Sequence, residues 1–210
     1  MTNQTFEIID GVYSGPEVWE GYLDLREYKD TLTSLGVLKE VRSYLHLEGC
    51  TSLTSLGSLT KVGGWLQLRG CTSLISLGSL EEVGAGLDLD GSTSLVSLGS
   101  LNEVGSWADL RGCTSLTSLG DLKKTGSWTD IAGCTSLVSL GSLGSLKEVM
   151  YRLRLSDNKF SPFQEVQEKI HYYSHLPLHE ALNALHTKEV QEVPLYKNSL
   201  LKTLLEGEVS

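Results

Sequence analysis

The sequence has no uninterrupted apolar run that approaches the roughly 18 residues of a membrane-spanning helix. Its first ten residues also lack a basic segment followed by an apolar segment, which a secretion signal would require. These two absences predict a cytoplasmic protein that makes no membrane contact, in a compartment where cysteine thiols stay reduced.

Motifs that carry catalysis or hold cofactors are also missing. The sequence contains no C-x-x-C pair, no H-E-x-x-H motif and no glycine-rich phosphate loop. His171, His175 and His179 are spaced four residues apart, but Pro177 is expected to break the helix that would align them on one face. We therefore expect a non-enzymatic protein without a cofactor, and this histidine cluster is the one metal site that the sequence leaves open.

Negative charge exceeds positive charge, with 26 acidic residues against 17 basic ones and a net charge of −9. Such a chain is repelled by phosphate backbones and by anionic lipids, so direct binding to nucleic acid or to a membrane surface is disfavoured. The same charge suits a protein partner with a basic surface.

A unit of 21 residues fills most of the chain, and residues 65–80 contain its cleanest copy. Each copy opens with two mostly apolar residues separated by one residue, which is the spacing of a β-strand with both side chains on one face. Leucines three residues apart follow, and this spacing favours a tight 3₁₀-like or polyproline-like return path over an α-helix. The seven opening pairs are Leu23/Leu25, Leu45/Leu47, Leu66/Leu68, Leu87/Leu89, Ala108/Leu110, Thr129/Ile131 and Leu153/Leu155.

The pattern L-x-L-x-x-C-x-x-L-x-x-L-x-x-L resembles a short leucine-rich repeat with cysteine at the usual asparagine position, and the seventh copy has the asparagine, Asn158. The resemblance covers about residues 23–163 and extends to the short repeats of bacterial effector-type or phage-encoded proteins. It implies an α/β solenoid, which is a curved coil with a parallel β-sheet on its concave side and a 3₁₀ or extended convex side.

Three segments are predicted along the chain: an N-terminal cap over residues 1–22, a solenoid of seven coils over residues 23–160, and a helical C-terminal cap over residues 161–210. Ser161, Pro162 and Gln164 have the residue types of a helix N-cap, first turn and capping box, and Pro177 and Pro194 begin two further predicted helices. These C-terminal helices also offer a surface for homo-oligomer formation.

One column of the stacked coils contains Cys50, Cys71, Cys113 and Cys134, with Ser92 between the two pairs. We expect buried thiols that bond backbone carbonyls of a neighbouring coil, as the asparagine of the repeat would. Parallel side chains in register suit disulfides poorly, and ligands in one column do not converge as zinc requires.

Residues on either side of the first strand leucine are predicted to face outward, because side chains alternate along a strand. In-register stacking would place equivalent residues about 4.8 Å apart, so they form columns. The candidate site residues are an aromatic column of Tyr22, Tyr44, Trp65, Trp107 and Trp128, a polar column with Asp24, His46, Asp88, Asp109 and Asp130, and the flanking Arg69 and Arg111.

A row of exposed aromatic residues usually marks a contact surface, so the leading hypothesis is a non-enzymatic module that recognises a protein partner through this aromatic and acidic face. One alternative is an effector or phage-encoded inhibitor that blocks a host defence protein, in one version by acidic mimicry of nucleic acid. Another is a carbohydrate-binding module, since aromatic rows beside carboxylates also suit sugar rings. A self-neutralising charge ladder beside rings that only stack on each other would leave this face without a function.

Overall fold

The computed structural model describes residues 4–137, 146, 148–149 and 153–154. Over these residues the chain winds into a β-solenoid, and residues 21 apart, such as Leu66 and Leu87, pair in register on parallel strands of successive coils. The repeat architecture predicted from the sequence is therefore confirmed.

A short antiparallel hairpin precedes the coils, with strands β1 (Glu7–Ile9) and β2 (Val12–Ser14). Tyr13 of β2 is buried, and its N–H donates to the carbonyl of Ser34 at 3.0 Å, which ties the hairpin to the first coil. Residues 4–22 also include the first strand of one of the solenoid sheets, and the predicted boundary at residue 22 stays a prediction.

Each coil contributes one short strand to each of two parallel sheets of seven strands. Sheet 1 begins at the predicted opening pairs and consists of β4 (Leu23–Asp24), β6 (Leu45–His46), β8 (Leu66–Gln67), β10 (Leu87–Asp88), β12 (Ala108–Asp109), β14 (Thr129–Asp130) and β16 (Leu153–Arg154). Sheet 2 lies just before sheet 1 in each coil and consists of β3 (Val18–Trp19), β5 (Glu40–Val41), β7 (Lys61–Val62), β9 (Glu82–Val83), β11 (Glu103–Val104), β13 (Lys124–Thr125) and β15 (Glu148–Val149).

A ladder of single bridges between serines forms a third side of the coil, with Ser97 paired to Ser76 on one side and to Ser118 on the other. The hydroxyl of each serine accepts the N–H of the glycine two residues later, as in Ser76 and Gly78 at 3.0 Å. Gly78 has a φ of +60°, a left-handed conformation that glycine adopts without steric cost. The serine and glycine of each S-L-G unit therefore make the turn that ends this side.

The predicted α/β fold with a single concave sheet is wrong. The described residues contain two parallel sheets, and their only helical segment is a 3₁₀ turn at Arg26–Tyr28. Valines such as Val83, four residues before the sheet 1 leucine, lie on strands of their own. With two strands and a serine bridge within about 21 residues, a coil has no length left for a helix.

The predicted helical C-terminal cap falls on residues 161–210, which lie outside the described residues. The predicted oligomer formation through C-terminal helices is not supported, because the only helical segment in the described residues is the 3₁₀ turn at Arg26–Tyr28. The described segments also contain no helix capable of spanning a lipid bilayer.

Leucines from all three sides of the coil fill one continuous core. Those of the cleanest repeat, Leu66, Leu68, Leu74, Leu77 and Leu80, each have 0% of their surface exposed, as predicted. Each side of the coil is only a few residues long. Leucines two residues apart on a strand and leucines three residues apart across a turn can therefore both face the core. Each buried leucine contributes about 1.5–3 kcal/mol of transfer free energy, so the stacked leucine columns dominate the stability of the fold.

Two core positions in the sixth coil are polar, and each has a hydrogen-bond partner. Thr125 of β13 and Thr129 of β14 lie where most coils have valine and leucine, and both are fully buried. Their hydroxyl oxygens lie 2.8 Å apart, so each hydroxyl has the other as its hydrogen-bond partner. The paired replacement avoids the cost of a single buried hydroxyl without a partner.

The cysteine column bonds backbone carbonyls as predicted. The Sγ atoms of Cys71, Cys113 and Cys134 lie 3.2, 3.2 and 3.0 Å from carbonyl oxygens of the preceding coil, and Ser92 Oγ makes the same bond at 2.8 Å. All four cysteines are free thiols. Burial raises the pKa of Cys50 to about 11 and that of Cys71 to about 12, so these thiols have little thiolate character.

Glycines form the corner between sheet 2 and sheet 1. The N–H of Gly105 donates to the Val83 carbonyl at 2.8 Å, and an added Cβ on Gly105 would overlap the carbonyl oxygen of Gly84. Gly63, Gly84 and Gly126 occupy the same position in their coils with the same kind of backbone overlap. In the third to sixth coils, close packing at this corner therefore leaves no room for a side chain.

Candidate functional site

The five candidate aromatic residues form one continuous row on the outer face of sheet 1. Ring centroids of neighbours in the row lie 6.5, 5.3, 6.3 and 5.3 Å apart in the order Tyr22, Tyr44, Trp65, Trp107 and Trp128. Tyr22, Tyr44 and Trp65 are exposed, and the two later tryptophans are half-buried. The row exists because each ring precedes the first inward residue of its sheet 1 strand, which is a leucine in three coils, Ala108 in the fifth and Thr129 in the sixth.

Two of the four neighbouring ring pairs in this row are stacked face to face. Tyr44 and Trp65 stack with planes 27° apart, and Trp107 and Trp128 stack with planes 8° apart. Stacking of this kind contributes about 0.5–1.5 kcal/mol per pair beyond burial. Stacking therefore covers one face of each of these four rings, and the stacked rings also stabilise one another.

One coil contributes no ring to the row, because the fourth coil has Gly86 at this position. Trp107 leans back across this position, since a Cβ on Gly86 would overlap the indole ring. Trp65 and Trp107 consequently face each other with ring planes 60° apart rather than parallel. The exchange of an aromatic residue for glycine at this position is visible in the sequence, but its effect on the neighbouring rings was not predicted.

The polar column of sheet 1 brings three carboxylates together. Asp88 pairs in register with Asp109, and Asp109 pairs with Asp130, so they occupy adjacent strands. Asp109 and Asp130 are only 6% exposed, although they were expected to face outward. Adjacent carboxylates in a partly buried row repel one another, so their charges need nearby hydrogen-bond donors and cations for stabilisation.

These carboxylates accept backbone hydrogen bonds that form the turn after each strand. In Asp88, Asp109 and Asp130, Oδ1 accepts the N–H of the residue two positions later at 3.0, 3.2 and 3.0 Å. Aspartate is a common residue in such turns because its short side chain reaches the backbone two residues on. The acidic column therefore has a local structural role in addition to any binding role.

Two arginines partly neutralise the row. Arg111 forms a two-pronged contact with Asp109 through Nε and Nη2 at 2.8 and 2.7 Å, and its Nη2 also reaches Asp90 at 3.2 Å. Arg69 Nη2 donates to the same Asp90 carboxylate at 2.6 Å. Asp90, which was not among the candidate residues, thus joins the two arginines and holds them over the fourth coil.

A separate polar cluster lies at the first coil. Arg26 contacts the Asp24 carboxylate at 2.6 and 2.9 Å, and this guanidinium lowers the pKa of Asp24 far below its usual value. The Tyr22 hydroxyl lies 3.2 Å from the Asp24 carboxylate and 2.9 Å from His46 Nδ1. A shallow depression beside this cluster is lined by Asp24, Arg26, Glu27, Lys29 and Glu48. The charged and polar groups at this end of sheet 1 are therefore engaged mainly with one another.

Asp88 is an acid of the row with only a distant cationic contact. Its side chain is 14% exposed, and its nearest guanidinium atom is Arg69 Nε at 3.8 Å, beyond hydrogen-bond distance. Burial raises the pKa of the Asp88 carboxyl above its ordinary value, and the backbone N–H of Asp90 and the charge of Arg69 only partly offset that effect. A partly buried carboxylate with a raised pKa is a common feature of binding sites.

Asp88→Asn is expected to raise the melting temperature at neutral pH. Because the pKa of Asp88 is raised by folding, the folded chain binds more protons than the unfolded chain between the two pKa values, and stability falls as pH rises through that window. Asparagine keeps the acceptor for the Asp90 N–H and removes the charge. Thermal unfolding followed by circular dichroism should show a gain at neutral pH that shrinks in acid, and a loss at neutral pH would contradict this assignment.

Metal binding has no support from the described residues, in which no group of three or more histidine, cysteine, aspartate or glutamate side chains is arranged to hold an ion. The histidine cluster at residues 171–179 lies outside them. No protein-family model, curated protein or solved structure matches this chain. The outer face of sheet 1 therefore remains the candidate site in the described part of the chain.

Proposed function

We propose that this protein is a non-enzymatic binding module whose sheet 1 face holds a protein partner with a basic surface. The observation that carries the proposal is the continuous row of five aromatic rings beside three adjacent carboxylates. Binding energy in protein interfaces is concentrated in aromatic and arginine residues, and charge complementarity orients the partner.

Rigidity of the supporting sheet favours binding. Every strand of sheet 1 between the first and last is hydrogen-bonded to two neighbours, and the inward leucines of its strands, such as Leu66 and Leu87, are fully buried. The aromatic rings are held further by mutual stacking. A face that is ordered before binding loses little conformational entropy when the partner arrives.

The charge of sheet 1 differs from that of sheet 2. The two polar columns of sheet 1 contain six carboxylates and three guanidinium groups over the first six coils, an excess of negative charge. On sheet 2, two ion pairs join lysines and glutamates of successive coils, Lys61 with Glu82 at 2.8 Å and Lys124 with Glu103 at 3.3 Å. The unbalanced charge beside the aromatic row supports a basic partner for sheet 1.

Carbohydrate binding is less well supported on this face. A sugar ring packs against an open aromatic face, whereas two of the four neighbouring ring pairs here are stacked and cover those faces. The carboxylates are likewise engaged in turn hydrogen bonds and arginine contacts. Inhibition of a host protein by an effector or phage protein is a version of the same proposal, because a bound solenoid covers the partner's surface.

Affinity capture with the full chain, followed by titration of the purified partner, tests the proposal. The captured protein should have a basic contact surface, and its affinity should fall as salt concentration rises, because surface charges are screened. Affinity that is unchanged when Trp107 and Trp128 are both truncated would place the interface elsewhere and overturn the proposal.

A further inference from the structure

One position in the aromatic row leaves two ring faces without a parallel neighbour. Trp65 is stacked on Tyr44 on one side, and Trp107 is stacked on Trp128 on one side. Their remaining faces meet across Gly86 with centroids 6.3 Å apart and planes 60° apart. The two rings therefore form a wedge over the fourth coil, unlike the closed stacks on either side of it.

The weakly paired carboxylate of the row belongs to the same coil. Gly86 directly precedes β10 and lies two residues before Asp88, so the two positions lie on the same face of sheet 1. Asp88 therefore lies next to the wedge in the polar column. An aromatic wedge and a carboxylate 3.8 Å from its nearest guanidinium nitrogen are two independent features of one place.

We propose that this wedge, formed by Trp65, Trp107 and Asp88, receives the guanidinium group of an arginine side chain on the partner protein. The inference rests on the proposed function and names the chemistry of its central contact. A guanidinium is planar and stacks on an indole face, while its N–H groups donate to a carboxylate. An ammonium group is compact and strongly hydrated, and it matches such a wedge less well.

Arg69 is expected to compete with the partner's arginine for the Asp88 carboxylate. Its Nη2 is held by Asp90 at 2.6 Å, and its Nε lies 3.8 Å from Asp88, so it partly neutralises Asp88 without forming a hydrogen bond with it. An incoming guanidinium gains the unmade hydrogen bond to Asp88 but is repelled by Arg69. Removing the charge of Arg69 is therefore expected to strengthen binding of a cation, and it would weaken binding of an anion.

The indole N–H signals of the four tryptophans provide a direct readout. The full chain, labelled with ¹⁵N, is titrated with N-acetyl-arginine amide and, separately, with N-acetyl-lysine amide. The arginine compound is expected to shift the Trp65 and Trp107 signals in a saturable manner, and the lysine compound is expected to bind more weakly. Trp19, whose indole N–H donates to the Tyr22 carbonyl at 3.1 Å, serves as the internal reference. Equal shifts with both compounds would overturn the assignment to arginine.

Three variants test the contacts. Asp88→Asn is expected to weaken arginine binding about tenfold, as for loss of a charged hydrogen-bond acceptor. Asp121→Asn removes the same charge from an exposed position outside sheet 1 and should leave the affinity unchanged. Arg69→Gln should tighten binding. Equal effects of Asp88→Asn and Asp121→Asn, or weaker binding by Arg69→Gln, would overturn the site.

Failure of this site can be distinguished from failure of the proposed function. If the captured partner still loses affinity when Trp107 and Trp128 are truncated but is insensitive to Asp88→Asn, the face binds the partner and the arginine wedge is wrong. If truncation of the two tryptophans leaves the partner's affinity unchanged, both proposals are wrong. If the partner loses affinity both on truncation of the two tryptophans and on Asp88→Asn, the binding face and the arginine site are both supported.

Discussion

Gly105→Ala is expected to lower the free energy of unfolding by about 1–3 kcal/mol, as for an overpacked core position. The alanine Cβ would overlap the carbonyl oxygen of Gly84, and backbone atoms cannot move aside as the end of a flexible side chain can. The coil would have to shift, which weakens the hydrogen bond from the Gly105 N–H to the Val83 carbonyl at 2.8 Å. For a chain of this size the melting temperature should fall by about 2–12 °C.

Gly21→Ala is the matched control, because Gly21 has no positive φ and an added Cβ there would have no neighbour within 4 Å. This substitution should be neutral or stabilise by about 0.4–1 kcal/mol through the unfolded chain. Thermal unfolding followed by circular dichroism compares the two variants with the parent protein. Equal melting temperatures of the two variants would show that the close approach of the coils at this corner does not require glycine.

The core of the solenoid was predictable because its residues repeat. Leucines and cysteines return every 21 residues in the central coils, and in-register stacking turns each repeated position into a column with one environment. The bond from the cysteine column to backbone carbonyls was predicted from the residue type at the repeat's asparagine position, and Cys71 forms it at 3.2 Å. Because each coil contacts only its neighbours, the residue pattern of one repeat predicts the core of the whole solenoid.

The second sheet was missed because its strands are too short to have a periodicity of their own. Lys61–Val62 and Glu82–Val83 each contain one charged residue and one valine, and two residues show no alternation. What makes them strands is pairing with the coils before and after them, in register at Lys61 and Glu82. Resemblance to a leucine-rich repeat favoured one sheet, and the valine four residues before each sheet 1 leucine was the signal against it.

The candidate site was predictable as columns but not as a surface. Strand alternation placed Asp109 and Asp130 outward, yet both are 6% exposed because their surroundings cover them, with Arg111 lying against Asp109 at 2.7 Å. Ring orientation also depends on the neighbouring coils. Trp107 leans over Gly86 because that position has no side chain, and a repeat considered alone cannot reveal this. The orientation of the rings and the burial of the aspartates therefore could be seen only in the structure.

Trp107→Ala combined with Trp128→Ala is expected to weaken binding of the captured partner by at least about 2 kcal/mol, or about 30-fold, as for loss of aromatic anchors in an interface. The two rings stack at 5.3 Å with planes 8° apart, so they act as one rigid anchor and are removed together. Titration calorimetry with the purified partner measures the change. Circular dichroism of the variant should retain the parent spectrum, since both rings lie outside the leucine core.

Ile75→Ala combined with Val96→Ala is the matched control for this truncation. These apolar residues are 56% and 41% exposed, and they lie beside the serine ladder rather than on sheet 1. Truncating them removes apolar surface from a different side of the same rigid coil and should leave the affinity unchanged. If the control pair weakens binding as much as the tryptophan pair, general surface hydrophobicity holds the partner. If only the tryptophan pair does so, the aromatic row is the interface.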